Sequence, residues 1–309
     1  MRIWLFLQVG IMFLAGEILT AAEPMADCLT FGAVADIQYA DKTAKGSRSY
    51  RKTLDRAGEF VTAMNQDKPL FVVSLGDHTD GRSVPADRKA DVDAVSALLK
   101  KLVSPLKVVV GNHDTYAGIE LLTEALGCKD LFYTFTVQGH EGWRFIVLNG
   151  NDGKGAYVMS EKQIAWFGAE LSKAKAAGER VICFCHQPLL NEASPRTHTL
   201  ANPGPVLKVM DECGDGVVQA WICGHDHTGG YAYRKGVHHL TMPGMVETHD
   251  STSYALITLT PDRIVVRGVG RAPSCELPYG KAPAVEPVMN DVKKKTPAKE
   301  VPAVLPEAA

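Results

Sequence analysis

Leu70-Phe71-Val72-Val73-Ser74-Leu75 runs directly into Gly76-Asp77-His78-Thr79-Asp80. The first six residues are mostly apolar and short in extent, which reads as a buried strand. The next five are a turn that sets a carboxylate and an imidazole at the strand's carboxyl end. Open α/β sheets place their sites there. The same arrangement recurs along the chain. Leu29 to Ala35 leads into Asp36-Ile37-Gln38, and Lys107 to Val110 into Gly111-Asn112-His113-Asp114. Val181 to Cys185 leads into His186-Gln187-Pro188, and Val217 to Cys223 into Gly224-His225-Asp226-His227.

Helical patterns separate these strands. Ser49 to Asn65 places Leu54, Ala57, Phe60, Val61 and Met64 on one face. Ala86 to Leu102 reads as a second helix. Ser160 to Ala177 reads as a third and opens on a capping-type Ser-x-x-Gln. Leu131 to Val137 and Trp143 to Leu148 are aromatic-rich runs, and Tyr231 to Val269 reads as strand and turn without helix. Alternating strand and helix followed by a strand-rich part predicts an α/β fold with mixed sheets. No repeat or linker interrupts Phe31 to Arg271, so one domain over residues 28–272 is expected.

The ends read differently. Arg2, the apolar run Ile3 to Ala15 and the small residues Thr20-Ala21-Ala22 match a signal peptide over residues 1–22. Export to the periplasm or the exterior is therefore expected, with an uncleaved N-terminal anchor as the alternative. Glu17 interrupts the run, which is short for a membrane span. No span is expected in the mature chain. From Glu276 to residue 309, Pro, Ala, Lys and Glu dominate, which predicts a disordered tail. Seven cysteines form no C-x-x-C pair, and an odd number leaves at least one thiol unpaired. Cys183, Cys185 and Cys223 read as small buried hydrophobes.

Hydrophobic residues make up 46% of the 309 residues, and the formal net charge is −2. That balance gives no general attraction for nucleic acid. Affinity for phosphate must be local, and bound cations supply it. A phosphate diester or anhydride is anionic and repels hydroxide. Two divalent cations roughly 3.5–4 Å apart neutralise it, clamp its oxygens and lower the pKa of a water between them. One carboxylate can bridge both ions, while imidazoles and amide oxygens fill the remaining positions. Such a mixed N/O set suits Mn²⁺, Fe²⁺ or Zn²⁺. Singly, Asp36 reads as a cap or turn residue, His186 as a satisfied core histidine, and Gly-Asn-His-Asp as a turn. All five groups in order, each after a strand, point to a two-metal centre.

The ordered set Asp-x-Gln, Gly-Asp, Gly-Asn-His-Asp, a lone His and Gly-His-x-His resembles the calcineurin-like metallophosphoesterase family. The resemblance covers Phe31 to Arg271 and implies a four-layer α/β/β/α sandwich with the metals at the rim of two sheets. It also implies that Asp36, Gln38, Asp77 and His227 hold one ion and that Asp77, Asn112, His186 and His225 hold the other, with Asp77 as the bridge. His113 would stabilise developing charge or protonate the leaving oxygen, and Asp114 would orient His113. Gln38 stands where the family usually has His; its harder amide oxygen tilts that site towards Mn²⁺ or Mg²⁺. Purple acid phosphatases carry Tyr three residues after the Gly-Asp aspartate. Asp80 stands at that position here, so that subfamily does not match. Phe31 to Asp41, Ser49 to Leu54, Glu192-Ala193-Ser194, Gly229-Gly230-Tyr231, Glu247-Thr248 and Gly268 to Arg271 resemble one branch most closely, the Mn²⁺-dependent ADP-ribose/CDP-alcohol diphosphatases.

A small phosphorylated, nucleotide-like substrate is what that resemblance implies. Alternatives are a cyclic-nucleotide or glycerophosphodiester phosphodiesterase, a broad phosphomonoesterase outside the cytoplasm, and a binding module without catalysis. His78 and Asp80 either support ligands or face solvent, and Asp226 is expected to point into solvent. Tyr39, Arg51 and Tyr116 are candidates for touching a nucleotide, against plain surface or packing roles. His198 is a candidate for the pocket mouth. His238, His239 and His249 have no identifiable partner in the sequence, and nothing in it sets an oligomeric state.

Overall fold

The computed structural model describes residues 28–247 and 250–290. In chain order the first elements are β1 (Leu29–Val34), α1 (Lys52–Asp67), β2 (Phe71–Ser74), α2 (Pro85–Leu99) and β3 (Leu106–Val108). Then come α3 (Asn112–Ala117), α4 (Ile119–Leu126), β4 (Tyr133–Phe135), β5 (Trp143–Val147), α5 (Glu161–Ala177) and β6 (Arg180–Phe184). The remainder is α6 (Pro203–Cys213), β7 (Val218–Cys223), β8 (Gly230–Arg234), β9 (Val237–Thr241), β10 (Ser253–Leu259), β11 (Arg263–Gly270) and β12 (Cys275–Pro278).

Successive side chains of a strand point to opposite faces, and that alternation sorts the apolar residues into three layers of core. Phe31 and Ala33 of β1 and Phe71 and Val73 of β2 meet Phe145, Ile182, Phe184, Ala220 and Ile222 between the sheets. Phe31 stacks on Phe71 at 4.9 Å and meets Phe184 edge-on at 5.5 Å, which locks the two sheets face to face. The alternate residues Val34 and Val72 pack on Ala57, Phe60 and Met64 of α1 and Val95 and Leu99 of α2. On the far side, Val181, Cys183, Trp221 and Cys223 pack on Phe167 and Leu171 of α5 and Val206 and Met210 of α6. The result is the expected α/β/β/α sandwich. The core strands are apolar throughout because both of their faces are buried.

One sheet runs β12-β11-β10-β1-β2-β3 and the other β4-β5-β6-β7-β9-β8. Both are mixed. β1, β2 and β3 are parallel, as are β5, β6, β7 and β9, while the outer neighbours run antiparallel. The carboxyl ends of the parallel strands of both sheets therefore meet along one rim.

Three local readings are corrected. Composition predicts a tail from Glu276, but Cys275–Pro278 forms β12 and pairs with β11 over Arg263↔Pro278 to Val266↔Cys275. The Asn290 amide then donates to the carbonyls of Gly270 and Ala272 at 3.2 and 2.8 Å. Main-chain and amide bonds of this kind do not depend on an apolar composition. Second, the Ser160 hydroxyl accepts from the Gln163 N–H at 3.2 Å, as a cap should. The Gln163 side chain, however, turns inward to clasp both backbone groups of Asn149 at 2.8 Å. Third, α3, α4 and α6 stand where the sequence pattern predicts no helix; α3 and α4 are only six and eight residues long, below the span at which periodicity speaks. Residues 1–22, His249 and residues 291–309 lie outside the described residues.

Candidate metal centre

Each turn at the rim is shaped to turn a side chain inward. Asp36, Gln38, Asp77 and His225 all have left-handed backbones, with φ of 52°, 41°, 55° and 69°. For non-glycine residues such positions cost about 1–3 kcal/mol, and strain of this kind collects at functional sites. The turns also brace one another. Asp36 N–H donates to the Gly76 carbonyl at 3.1 Å, Gln38 N–H to the Asp77 carbonyl at 2.8 Å, and His225 N–H to Asp36 Oδ2 at 3.0 Å.

Two groups of three converge among the described residues: Asp36, Asp77 and His227, and Asp77, His186 and His225. Within each, one ligand atom per residue lies within 4.8 Å of the others, all the residues are buried, and Asp77 is common to both groups. His227 Nε2 lies 3.1 Å from Asp36 Oδ1, and His186 Nε2 lies 3.2 Å from Asp77 Oδ2. Gln38 bonds to Asp77, and Asn112 lies between Gly111 and His113, which both meet Asp77. Gln38 Nε2 donates to Asp77 Oδ2 at 3.0 Å, which leaves its Oε1 free. Asp36 Oδ1, Gln38 Oε1, Asn112 Oδ1 and His186 Nε2 are all buried without a hydrogen-bond partner. Orphaned buried acceptors are costly unless something else satisfies them. Four from this one cluster, around two carboxylates, fit a pair of divalent ions.

The histidine tautomers agree. His186 Nδ1 donates to the Leu75 carbonyl at 2.8 Å, which turns the lone pair of Nε2 to the carboxylates. His227 Nδ1 meets Glu247 Oε1 at 2.7 Å and likewise directs Nε2 inward. A carboxylate behind a ligating imidazole fixes its orientation and raises its basicity. The electrostatics show which charge the centre lacks. Burial alone would lower the His186 pKa, yet Asp77 and Asp36 hold it well above the usual imidazole range. Burial alone would raise that of Asp77, yet His186, His113 and His225 hold it far below the carboxylate range. His225 is pushed down to about 3 by burial and by His186. The carboxylates draw in positive charge, and cations would supply it.

His113 sits beside this centre and is partly exposed. Its N–H donates to Asp77 Oδ1 at 2.8 Å, and its Nδ1 donates to the Asp80 carbonyl at 2.9 Å. Nε2 is thus the free nitrogen. Asp80 Oδ1 is 3.6 Å from Nδ1. The expectation that Asp114 orients His113 is corrected: Asp114 is buried and accepts from the N–H groups of Asp77, His78 and Gly111 at 2.8–2.9 Å, and from His78 Nδ1 at 3.0 Å. It braces the two turns, and His78 is wholly buried rather than solvated. Asp226 is also buried, not solvated, and accepts from Ser194 Oγ and Arg196 N–H at 2.8 Å.

The remaining candidates divide. The His198 ring lies 5.6 Å from that of His225, and Tyr116 meets His113 edge-on at 6.0 Å. Arg51 is engaged with Asp41 on the surface. His238 is buried between the Tyr231 hydroxyl and the Pro278 carbonyl, at 2.8 and 2.9 Å. Two further residues at the site had no role assigned to them from the sequence. Glu247 meets His227 only through the fold, and the Tyr157 ring, on a loop without regular structure, lies 4.7 Å from that of His225, tilted by 57°. A cavity of about 560 Å³ bounded by Leu189, Asn191, Glu192, Thr197, Leu200 and Pro203 contains none of the proposed metal ligands.

Comparison with known proteins agrees with this geometry. The model of the calcineurin-like phosphoesterase family matches residues 29–229. A manganese-dependent ADP-ribose/CDP-alcohol diphosphatase of Mus musculus is 24% identical, over 86% of this chain and 96% of that protein. The Homo sapiens protein of the same name is 25% identical, over 82% of this chain and 93% of its own length. A dimetal phosphatase from Danio rerio superposes with a TM-score of 0.72 at 26% identity, covering 81% of this chain and 99% of that structure.

Proposed function

Because the chain belongs to the calcineurin-like phosphoesterase family, we propose that it is a manganese-dependent diphosphatase that hydrolyses the phosphoanhydride of nucleoside-diphosphate derivatives such as ADP-ribose or a CDP-alcohol. The observation that carries this reading is the pair of ligand groups sharing Asp77, with their unpartnered acceptors turned inward. The names of the relatives, matched over most of both chains, support the substrate class.

Asp36, Gln38, Asp77 and His227 would hold one ion, and Asp77, Asn112, His186 and His225 the other. Two ions there would neutralise charge on the diphosphate and lower the pKa of a water so that hydroxide is available near neutral pH. The chain does the rest. Asp77 fixes the spacing of the two ligand groups. His186 and His227 offer Nε2 because Leu75 and Glu247 occupy Nδ1. His113, held by Asp77 and Asp80, would donate the Nε2 proton of its imidazolium form to the leaving phosphate oxygen and be left neutral with its proton on Nδ1. The free Oε1 of Gln38 favours Mn²⁺ over softer ions. We also infer that residues 1–22 direct export; fractionation of cells carrying the full chain tests this, and purely cytoplasmic protein would refute it.

The decisive experiment strips the protein of metal and restores Mn²⁺, Mg²⁺ or Zn²⁺ in turn. Turnover is then followed on ADP-ribose, CDP-choline, cyclic AMP and para-nitrophenyl phosphate. Mn²⁺-dependent cleavage of the first two supports the reading. Cleavage of only the last two would replace it with a phosphodiesterase or monoesterase.

A further inference from the structure

We propose that Tyr116 and Tyr157 form a subsite for a planar aromatic group at the rim of the Asp77 centre, and that its occupant is the nucleobase of the substrate. This inference rests on the proposed function and deepens it. Each tyrosine stands against an imidazole that itself borders Asp77. Tyr157 lies 4.7 Å from the His225 ring at 57°, and Tyr116 lies 6.0 Å from the His113 ring at 84°.

Both rings also keep free surface. Tyr116 is 57% exposed and Tyr157 is partly exposed. An exposed aromatic alone means little, but the backbone supplies a second observation. Tyr157 has φ of 59°, in the left-handed region that a bulky residue rarely adopts. A glycine would take the same chain path without strain, and the loop already carries Gly153 and Gly155. The Ala201 N–H pins the strained residue by donating to the Tyr157 carbonyl at 2.7 Å. Strain held in place beside a reactive centre points to a function for the ring. The His198 ring, 5.6 Å from His225, continues the row of planar groups.

The chemistry selects the occupant. A base presents a flat π-face, which stacks on aromatic side chains whatever its identity. Stacking of this kind would hold adenine and cytosine derivatives alike, as a diphosphatase for ADP-ribose and CDP-alcohols requires. The anionic diphosphate would lie over Asp77 and its ions, with the base at the rim.

The test is calorimetric binding of AMP and of inorganic phosphate to the manganese-loaded full chain. Wild type is compared with Tyr116→Leu, Tyr157→Gly and Tyr157→Phe. The glycine variant relieves the backbone strain, and the phenylalanine variant keeps the ring. AMP affinity is expected to fall about ten-fold in Tyr116→Leu and in Tyr157→Gly. Tyr157→Phe is expected to bind AMP as wild type does, with phosphate affinity the same throughout. Equal loss of AMP and phosphate affinity would mean a structural role and overturn the subsite. Unchanged AMP affinity in both Tyr116→Leu and Tyr157→Gly would overturn it too. Failure of the diphosphatase reading looks different: wild type would not turn over CDP-choline, while the selective loss of AMP affinity would still support the subsite.

Discussion

At the residue scale, two aspartates that flank the same turns do different work. Asp80 touches His113 through its carbonyl and lies beside its ring. Asp114 touches the backbones of Asp77, His78 and Gly111 instead. Asp80→Asn keeps that carbonyl and removes only the carboxylate charge 3.6 Å from Nδ1, so it should leave the fold intact and lower kcat only about three-fold. Asp114→Asn replaces a buried carboxylate by an amide that cannot accept four bonds. It should cost on the order of 3 kcal/mol of stability. Urea unfolding and steady-state kinetics on the same two variants separate the roles. A stability loss confined to Asp80→Asn would reverse the assignment. Such a distinction was not legible in Gly-Asn-His-Asp, where Asp114 is next to His113 in sequence and reads as its natural partner. Helix geometry sends adjacent side chains in different directions, so the neighbour in sequence is not the neighbour in space.

At the scale of elements, the repeating unit of this protein is a buried strand and the strained turn at its carboxyl end. Gly111, between β3 and α3, shows how closely two such units meet. A Cβ there would lie 2.0 Å from Asp77 Oδ1 and 2.4 Å from Asp77 N. Gly111→Ala should displace Asp77, the residue common to both ligand groups. Metal analysis is expected to find fewer than two manganese ions per chain, and turnover should fall about 100-fold or more. Two bound ions with full turnover would show that the turn yields. A second element contact lies away from the site. Asp211 on α6 receives both guanidinium branches of Arg234 at 2.6 and 2.8 Å, and Lys235 at 2.9 Å. Arg234 and then Lys235 hold the Asp211 carboxyl well below the usual carboxylate range. The folded value is the lower one, so this stabilisation is complete above the ordinary aspartate pKa of about 4 and fades as pH falls through the folded value. Asp211→Asn should lower the unfolding free energy measured in urea at pH 7 by about 1 kcal/mol or less. The gap to wild type should narrow at about pH 3. A gap that widens in acid would exclude this origin.

At the scale of the whole molecule, the proposed ligands come from both sheets. Asp36, Gln38, Asp77 and Asn112 come after β1, β2 and β3, whereas His186, His225 and His227 come after β6 and β7. Ions at this rim would staple the two sheets together and bind only the folded chain. At a thousand times Kd that linkage is worth about 4 kcal/mol. Thermal unfolding in excess Mn²⁺ should then lie on the order of 10 °C above unfolding in chelator. Equal midpoints would mean that no ion bridges the sheets. The division between what was legible and what was not is one of range. The strands and the turns after them could be read in the sequence because apolar runs, glycines and polar turn residues act on their immediate neighbours. The α/β class and the identity of the clustered residues came from that local signal and from the order of the motifs. The sequence could not show that β12 closes the first sheet, that Glu247 backs His227, that Asp80 rather than Asp114 holds His113, or that Tyr157 lies on His225. Each of these depends on segments apart in the sequence that strand pairing and packing bring together.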